Sequence, residues 1–120
     1  MAWDRDITPG SRLPHYAKAF LIFRMARLHK LITILREART FLAREGNGFS
    51  WSSWRDQNQA IHEIDSIIIK LEHGSVPDIR VLFAPTGSIQ EVSLISGWGH
   101  EFIELAEQFD KEYEIVKNQS

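Results

Sequence analysis

The chain contains no cysteine, which removes disulfides, thiolate metal sites and cysteine nucleophiles together. Proline is scarce, with four in 120 residues and none between Pro14 and Pro77. No apolar run approaches the roughly 18 residues of a membrane-spanning helix. The opening Met1-Ala-Trp-Asp-Arg-Asp is too polar for a secretory signal. A soluble cytoplasmic protein with no membrane partner is the expectation. Also missing are Gly-x-Gly-x-x-Gly, the phosphate-cradling loop with its lysine, and Gly-x-Ser-x-Gly. No cofactor is expected, and no catalytic residue can be named.

Hydrophobic residues make up 43% and charged residues 25% of the chain, a balance that excludes wholesale disorder and suits one domain over residues 1–120. The net charge of −2 conceals a segregation. Residues 1–45 carry nine Lys/Arg against four Asp/Glu, and residues 46–120 carry five against twelve. A basic half suggests a polyanion partner. An acidic half in the same chain favours mutual neutralisation instead.

Residues 1–11 contain Pro9-Gly10 and read as an arm that Trp3 could anchor. From Pro14 to Glu45, Leu21, Met25, Leu28, Ile32, Leu35 and Leu42 repeat at helical spacing, and Gly46 ends the run. The spacing predicts a helix over 14–45. At about 100° per residue, Phe20, Leu31, Ala38, Phe23, Ile34 and Phe41 widen its apolar arc to roughly 200°, twice that of an ordinary surface helix. Such a helix calls for neighbours on two sides, or for a second copy of the chain.

A second helix is expected over 51–73, with Ser50 as N-cap and a later start between Ser53 and Asp56 as the alternative. Trp54, Ile61, Ile64, Ile68 and Leu71 form its seam, and Gly74 stops it. Residues 79–95 are ambiguous. Ser88 with Glu91 reads as a capping box opening a short helix over 88–95, against a short β-hairpin. After Gly97-Trp98-Gly99, the spacing of Phe102, Ala106, Phe109, Tyr113 and Val116 predicts a last helix over 99–116. The fold expected is therefore all-α: an irregular bundle of three main helices plus one short one.

Candidate chemistry is thin. His62-Glu63-x-Asp65 and His100-Glu101-x-x-Glu104 resemble metal-ligand spacings, but their side chains fall away from the seams of their own helices. No metal is expected. Lys18, His29, Lys30, Arg36 and Arg44 form a basic face on the first helix, yet no recognised motif accompanies it, so nucleic-acid binding is disfavoured.

Four tryptophans are the strongest hint, because indoles concentrate in interfaces as well as cores. Trp54 and Trp98 fit structural positions, whereas Trp3 and Trp51 lie in an arm and a cap. Arg24 and Arg39 fall within the apolar arc of the first helix and should each find a carboxylate. The last helix, through Glu112, is the expected donor.

These features point to a non-catalytic binding or assembly module, of the small bacterial accessory, regulatory or immunity-like kind. Its partner is another protein or a second copy of itself. Trp3, Trp51, Trp54, Trp98, Arg24, Arg39 and His100 are its candidate binding residues. Two alternatives remain: an enzyme or ligand-binding protein with a polar pocket near residues 85–88 and 97–100, and nucleic-acid binding by the basic face.

Overall fold

An uninterrupted helical stretch with no glycine or proline does form one long helix, α1 (His15–Leu42). It is the longest element of the computed structural model, which describes residues 15–50, 52–84 and 87–118. The arm at residues 1–11 and Trp51 lie outside the described residues. Three further helices follow: α2 (Gln57–Glu72), α3 (Ser88–Ser96) and α4 (Gly99–Asn118), with a 3-10 turn at Arg80–Phe83 between α2 and α3. The fold is all-α, and among the described residues there is no strand. Of the two arms of the alternative hairpin, residues 81–84 fall in the 3-10 turn and its C-cap, and residues 89–92 lie in α3.

The helix ends differ from the sequence expectation for identifiable reasons. α1 stops at Leu42, before the expected 45. The Asn47 side-chain amide donates to the Phe41 and Leu42 carbonyls, at 2.8 and 3.0 Å, and the Gln57 amide to those of Leu42 and Arg44. Side chains thus satisfy carbonyls that another turn would have used. α2 starts six residues later than 51 because Asp56, rather than Ser50, is its N-cap. The Asp56 carboxylate accepts from the Gln59 backbone N–H at 2.9 Å, and Gln59 reaches back to the Arg55 N–H. Ser52 meanwhile folds the preceding segment into a turn, bonding to the Phe49 and Trp54 carbonyls.

α3 is capped by Gly87 instead of Ser88, so the expected capping box does not form. A Cβ at Gly87 would collide with the Val81 carbonyl oxygen. Only glycine lets the 3-10 turn pass this close to the helix start. α4 runs two residues beyond the expected 116.

α1 is flanked by α2 on one side and α4 on the other, both antiparallel to it. The α2 contact is marked by Arg39–Asp65 and Arg36–Glu72, and the α4 contact by Arg27–Glu112 and, immediately before the start of α4, Phe41–Trp98. One continuous core joins all the elements. It runs from Leu28 to Leu42 of α1, through Ala60, Ile64, Ile68 and Leu71 of α2, to Phe102, Phe109, Tyr113 and Val116 of α4. Phe83 from the 3-10 turn stacks on Phe109 with ring centres 4.3 Å apart, and Phe109 stacks on Tyr113 at 5.1 Å. The molecule measures 53 × 26 × 19 Å with a radius of gyration of 17.3 Å. A compact chain of this length has about 14 Å. The elongation follows α1.

Candidate interaction surface

α1 has 28 residues and α2 only 16. The end of α2 reaches the middle of α1, where Leu71 and Gly74 share a groove with Met25, Leu28 and Ile32, and Glu72 pairs back with Arg36 at 2.7 Å. Roughly twelve residues of α1, about 18 Å of helix, therefore extend past the end of α2. In this overhang Leu21, Ile22, Phe23 and Met25 are exposed, Ile22 and Met25 by 68% and 67%. Tyr16, Ala19 and Ala26 are exposed as well. A helix apolar on most of its circumference is ordinarily buried on all of it. Here, among the described residues, the large apolar side chains of α1 are buried only from Leu28 onward.

At the root of the overhang a groove of ≈ 500 Å³ opens where α2 stops. Met25, Leu28 and Ile32 line it from α1, and Leu71 and Gly74 from the end of α2. The charge that α1 itself carries here is of one sign, although Glu72 of α2 reaches the groove. Residues 15–36 contain Lys18, Arg24, Arg27, Lys30 and Arg36 and no Asp or Glu. Arg27 lies over the Phe23 ring, 5.0 Å from its centre, and donates to Glu112 Oε1 at 2.8 Å. Lys18 and Lys30 pair with no carboxylate among the described residues.

The sequence-derived candidates fall in several places. Trp54 and Trp98 are buried to 3% and 2% exposure. The Trp54 indole donates to Glu63 Oε1 at 3.0 Å and that of Trp98 to Asn47 Oδ1 at 2.9 Å. Trp98 also stacks on Phe41, whose far face carries the Arg44 guanidinium. These two indoles tie loops to the core and present no ring face to a partner. Trp3 and Trp51 lie outside the described residues. His100 is 86% exposed and has Glu104, one helical turn on, 3.9 Å away. Ser88 hydrogen-bonds through its hydroxyl to Ser53, and Pro85 and Thr86 lie outside the described residues. Among the described residues no group of three His, Asp or Glu is arranged to hold a metal.

The arginine expectation needs correcting in part. α1 and α4 are neighbours, and Glu112 of α4 does take an arginine of α1, but the arginine is Arg27. Arg39 instead forms a bidentate pair with Asp65 of α2, at 2.6 and 3.1 Å, with its side chain 41% exposed. The reason lies in the seam. Leu21 and Met25 are exposed, so the true buried face centres on Leu31, Leu35, Ala38 and Leu42. That centre is rotated by about 60° at 100° per residue, which moves Arg39 to the rim and brings Arg27 against α4. Arg24 is half-buried in the overhang. Hydrogen bonding to Arg39 holds the Asp65 carboxyl below its usual range.

Three ion pairs, Arg27–Glu112, Arg36–Glu72 and Arg39–Asp65, each join the basic part of the chain to the acidic part. Much of the charge segregation is thus neutralised inside the molecule. Lys18, Lys30 and Arg44 of the basic part pair with no carboxylate among the described residues.

The chain matches no protein-family model, no curated protein and no solved structure. No helix among the described residues is long and apolar enough to cross a membrane. Sequence periodicity had placed Leu21 and Met25 in the core, and Ile22 was not singled out. The one signal that could have found them was the length mismatch between a long first helix and the short second helix that Gly74 ends.

Proposed function

We propose that the protein is a non-catalytic binding or assembly module of the accessory or regulatory kind, and that the overhanging half of α1 is its working surface. The observation that carries this reading is the run of exposed large hydrophobics at Leu21, Ile22, Phe23 and Met25. Contiguous apolar surface of this kind marks docking sites on soluble proteins. The aliphatic and aromatic side chains supply contact area, and the cations around them select a partner carrying acid. Nucleic acid fits less well, because Arg27, Arg36 and Arg39 of α1 are already engaged by carboxylates.

Capture from the native host with the tagged full chain tests the reading. Wild type is compared with an Ile22→Glu/Met25→Glu variant, whose changes lie at exposed positions. Partners retained by wild type and lost by the variant are expected. An identical retained set from both, with the variant shown to be folded by circular dichroism, would contradict it.

A further inference from the structure

Resting on the assembly role proposed above, we infer that the partner of the overhang is a second copy of this chain, received on its acidic α3–α4 end. The molecule carries two exposed apolar patches of opposite charge at its two ends. The overhang presents Ile22, Phe23 and Met25, with Lys18 one turn before Ile22 and the exposed Lys30 just past its root. At the far end Leu94 and Ile95 of α3 and Ile103 of α4 are exposed. Leu94 lies against Gly99, where a Cβ would sit 3.1 Å from its Cδ2, and Ile103 follows one turn along α4. Glu101, Glu104 and Glu107 stand exposed on the same turns.

The chain topology fixes these patches at opposite ends. Trp98 stacks on Phe41 in the last turn of α1, and the Gly48 N–H donates to Ser96 Oγ at 2.9 Å. The end of α3 and the start of α4 therefore sit beside the C-terminus of α1, while the overhang leaves from its N-terminus. Two 53 Å molecules laid antiparallel bring each overhang onto the acidic end of the other copy, so that both contacts form at once about a two-fold axis. The repetition matters for stability. A single patch about 18 Å long falls well short of the roughly 800 Å² per partner of a stable interface, and a two-fold pair doubles it.

Charge decides between this arrangement and its simplest rival. Pairing overhang to overhang would bring Lys18 and Lys30 of both copies together with no acid in residues 15–36 of either. Like charges across an interface oppose association, and opposite charges favour it.

Sedimentation velocity on the full chain, at about 0.05 M and about 0.5 M salt, tests the inference with two charge-reversal variants. One carries Lys18→Glu/Lys30→Glu and the other Glu104→Lys/Glu107→Lys. Wild type should sediment at twice the 13.9 kDa chain mass, with a dissociation constant that rises as salt is added. Each variant alone should dissociate at least about tenfold more readily, whereas an equimolar mixture should recover association, because each reversed patch then meets its complement. Wild type that stays monomeric at both salts would overturn the inference, and so would a mixture no tighter than either variant. Binding of monomers to anionic phospholipid vesicles, lost on Ile22→Glu, would overturn it in favour of a lipid surface. In each case, partners lost by the Ile22→Glu/Met25→Glu variant in host capture would still uphold the binding role.

Discussion

The two halves of α1 have the same apolar character and opposite fates. From Leu28 to Leu42 the helix contributes Leu31, Leu35, Ala38 and Leu42 with no exposed surface at all, whereas Leu21, Ile22, Phe23 and Met25 stand in solvent. Nothing in the helix itself makes the difference. α2 ends at Glu72, and the side of α1 beyond it lacks that neighbour. Burial is thus a property of the pair, set by where the shorter helix stops.

The largest effect that can break this contrast is a core truncation set beside a surface one. Leu35→Ala should destabilise by about 2–5 kcal/mol through lost contacts and a residual cavity. Met25→Ala, one helical face away and exposed, should change stability by less than about 0.5 kcal/mol. Chemical denaturation of both variants, in a buffer that keeps the chain monomeric, reads the difference. Equal losses would mean that the overhang is part of the core.

The ion pairs make the same comparison at lower amplitude. Glu112 is buried to 8% exposure, so Glu112→Ala, which leaves Arg27 without its partner, should cost about 2–4 kcal/mol. Asp65→Ala removes a bidentate but half-exposed pair and should cost less than about 1 kcal/mol. The ranking is the content of the prediction. A larger loss at Asp65 would place the energetic weight on the α1–α2 rim instead of the α1–α4 seam.

A smaller effect sharpens the picture of α4. Burial pushes the Tyr113 phenol above its ordinary value of 10.0, and its hydroxyl donates to the Pro77 carbonyl at 3.2 Å. The folded protein therefore holds this proton more tightly than the unfolded chain does. The stabilisation is complete below about pH 10 and is lost as the pH rises through the raised value. Stability measured against pH should decline on the alkaline side, and Tyr113→Phe should reduce that decline. An alkaline limb unchanged in Tyr113→Phe would contradict it.

Much of the fold was legible because helical spacing, glycine stops and the proline-free stretch agree with one another. Gly74 and Gly97 adopt positive φ within two residues of a helix end, as their positions in the sequence suggested, whereas Gly46, also at positive φ, lies four residues past the end of α1. The starts were harder to read. Ser50 and Ser88 are good capping residues by type, but Asp56 and Gly87 hold those positions. At Gly87 the choice depends on how closely the Val81 carbonyl of the preceding 3-10 turn approaches, which the capping preferences of residue types do not encode.

The candidate surface was only half legible. The width of the apolar arc on α1 showed that it needed more neighbours than a short bundle supplies. Which end lacked them depended on the antiparallel register of α2. The register also explains why Arg27, rather than Arg39, meets Glu112: the seam was centred on residues such as Met25 that the structure leaves exposed.

Amide hydrogen exchange along α1, read at high and at low salt, tests the central contrast most directly. With the chain held monomeric by salt, amides from Leu28 to Leu42 should exchange slowly. Those over residues 16–26 should exchange faster, because fewer packed side chains hold that part of the helix closed. At low salt and high protein concentration, protection should rise over residues 16–26 and on the outer face of α4, leaving the core half unchanged. Uniform protection along α1 under both conditions would contradict the account.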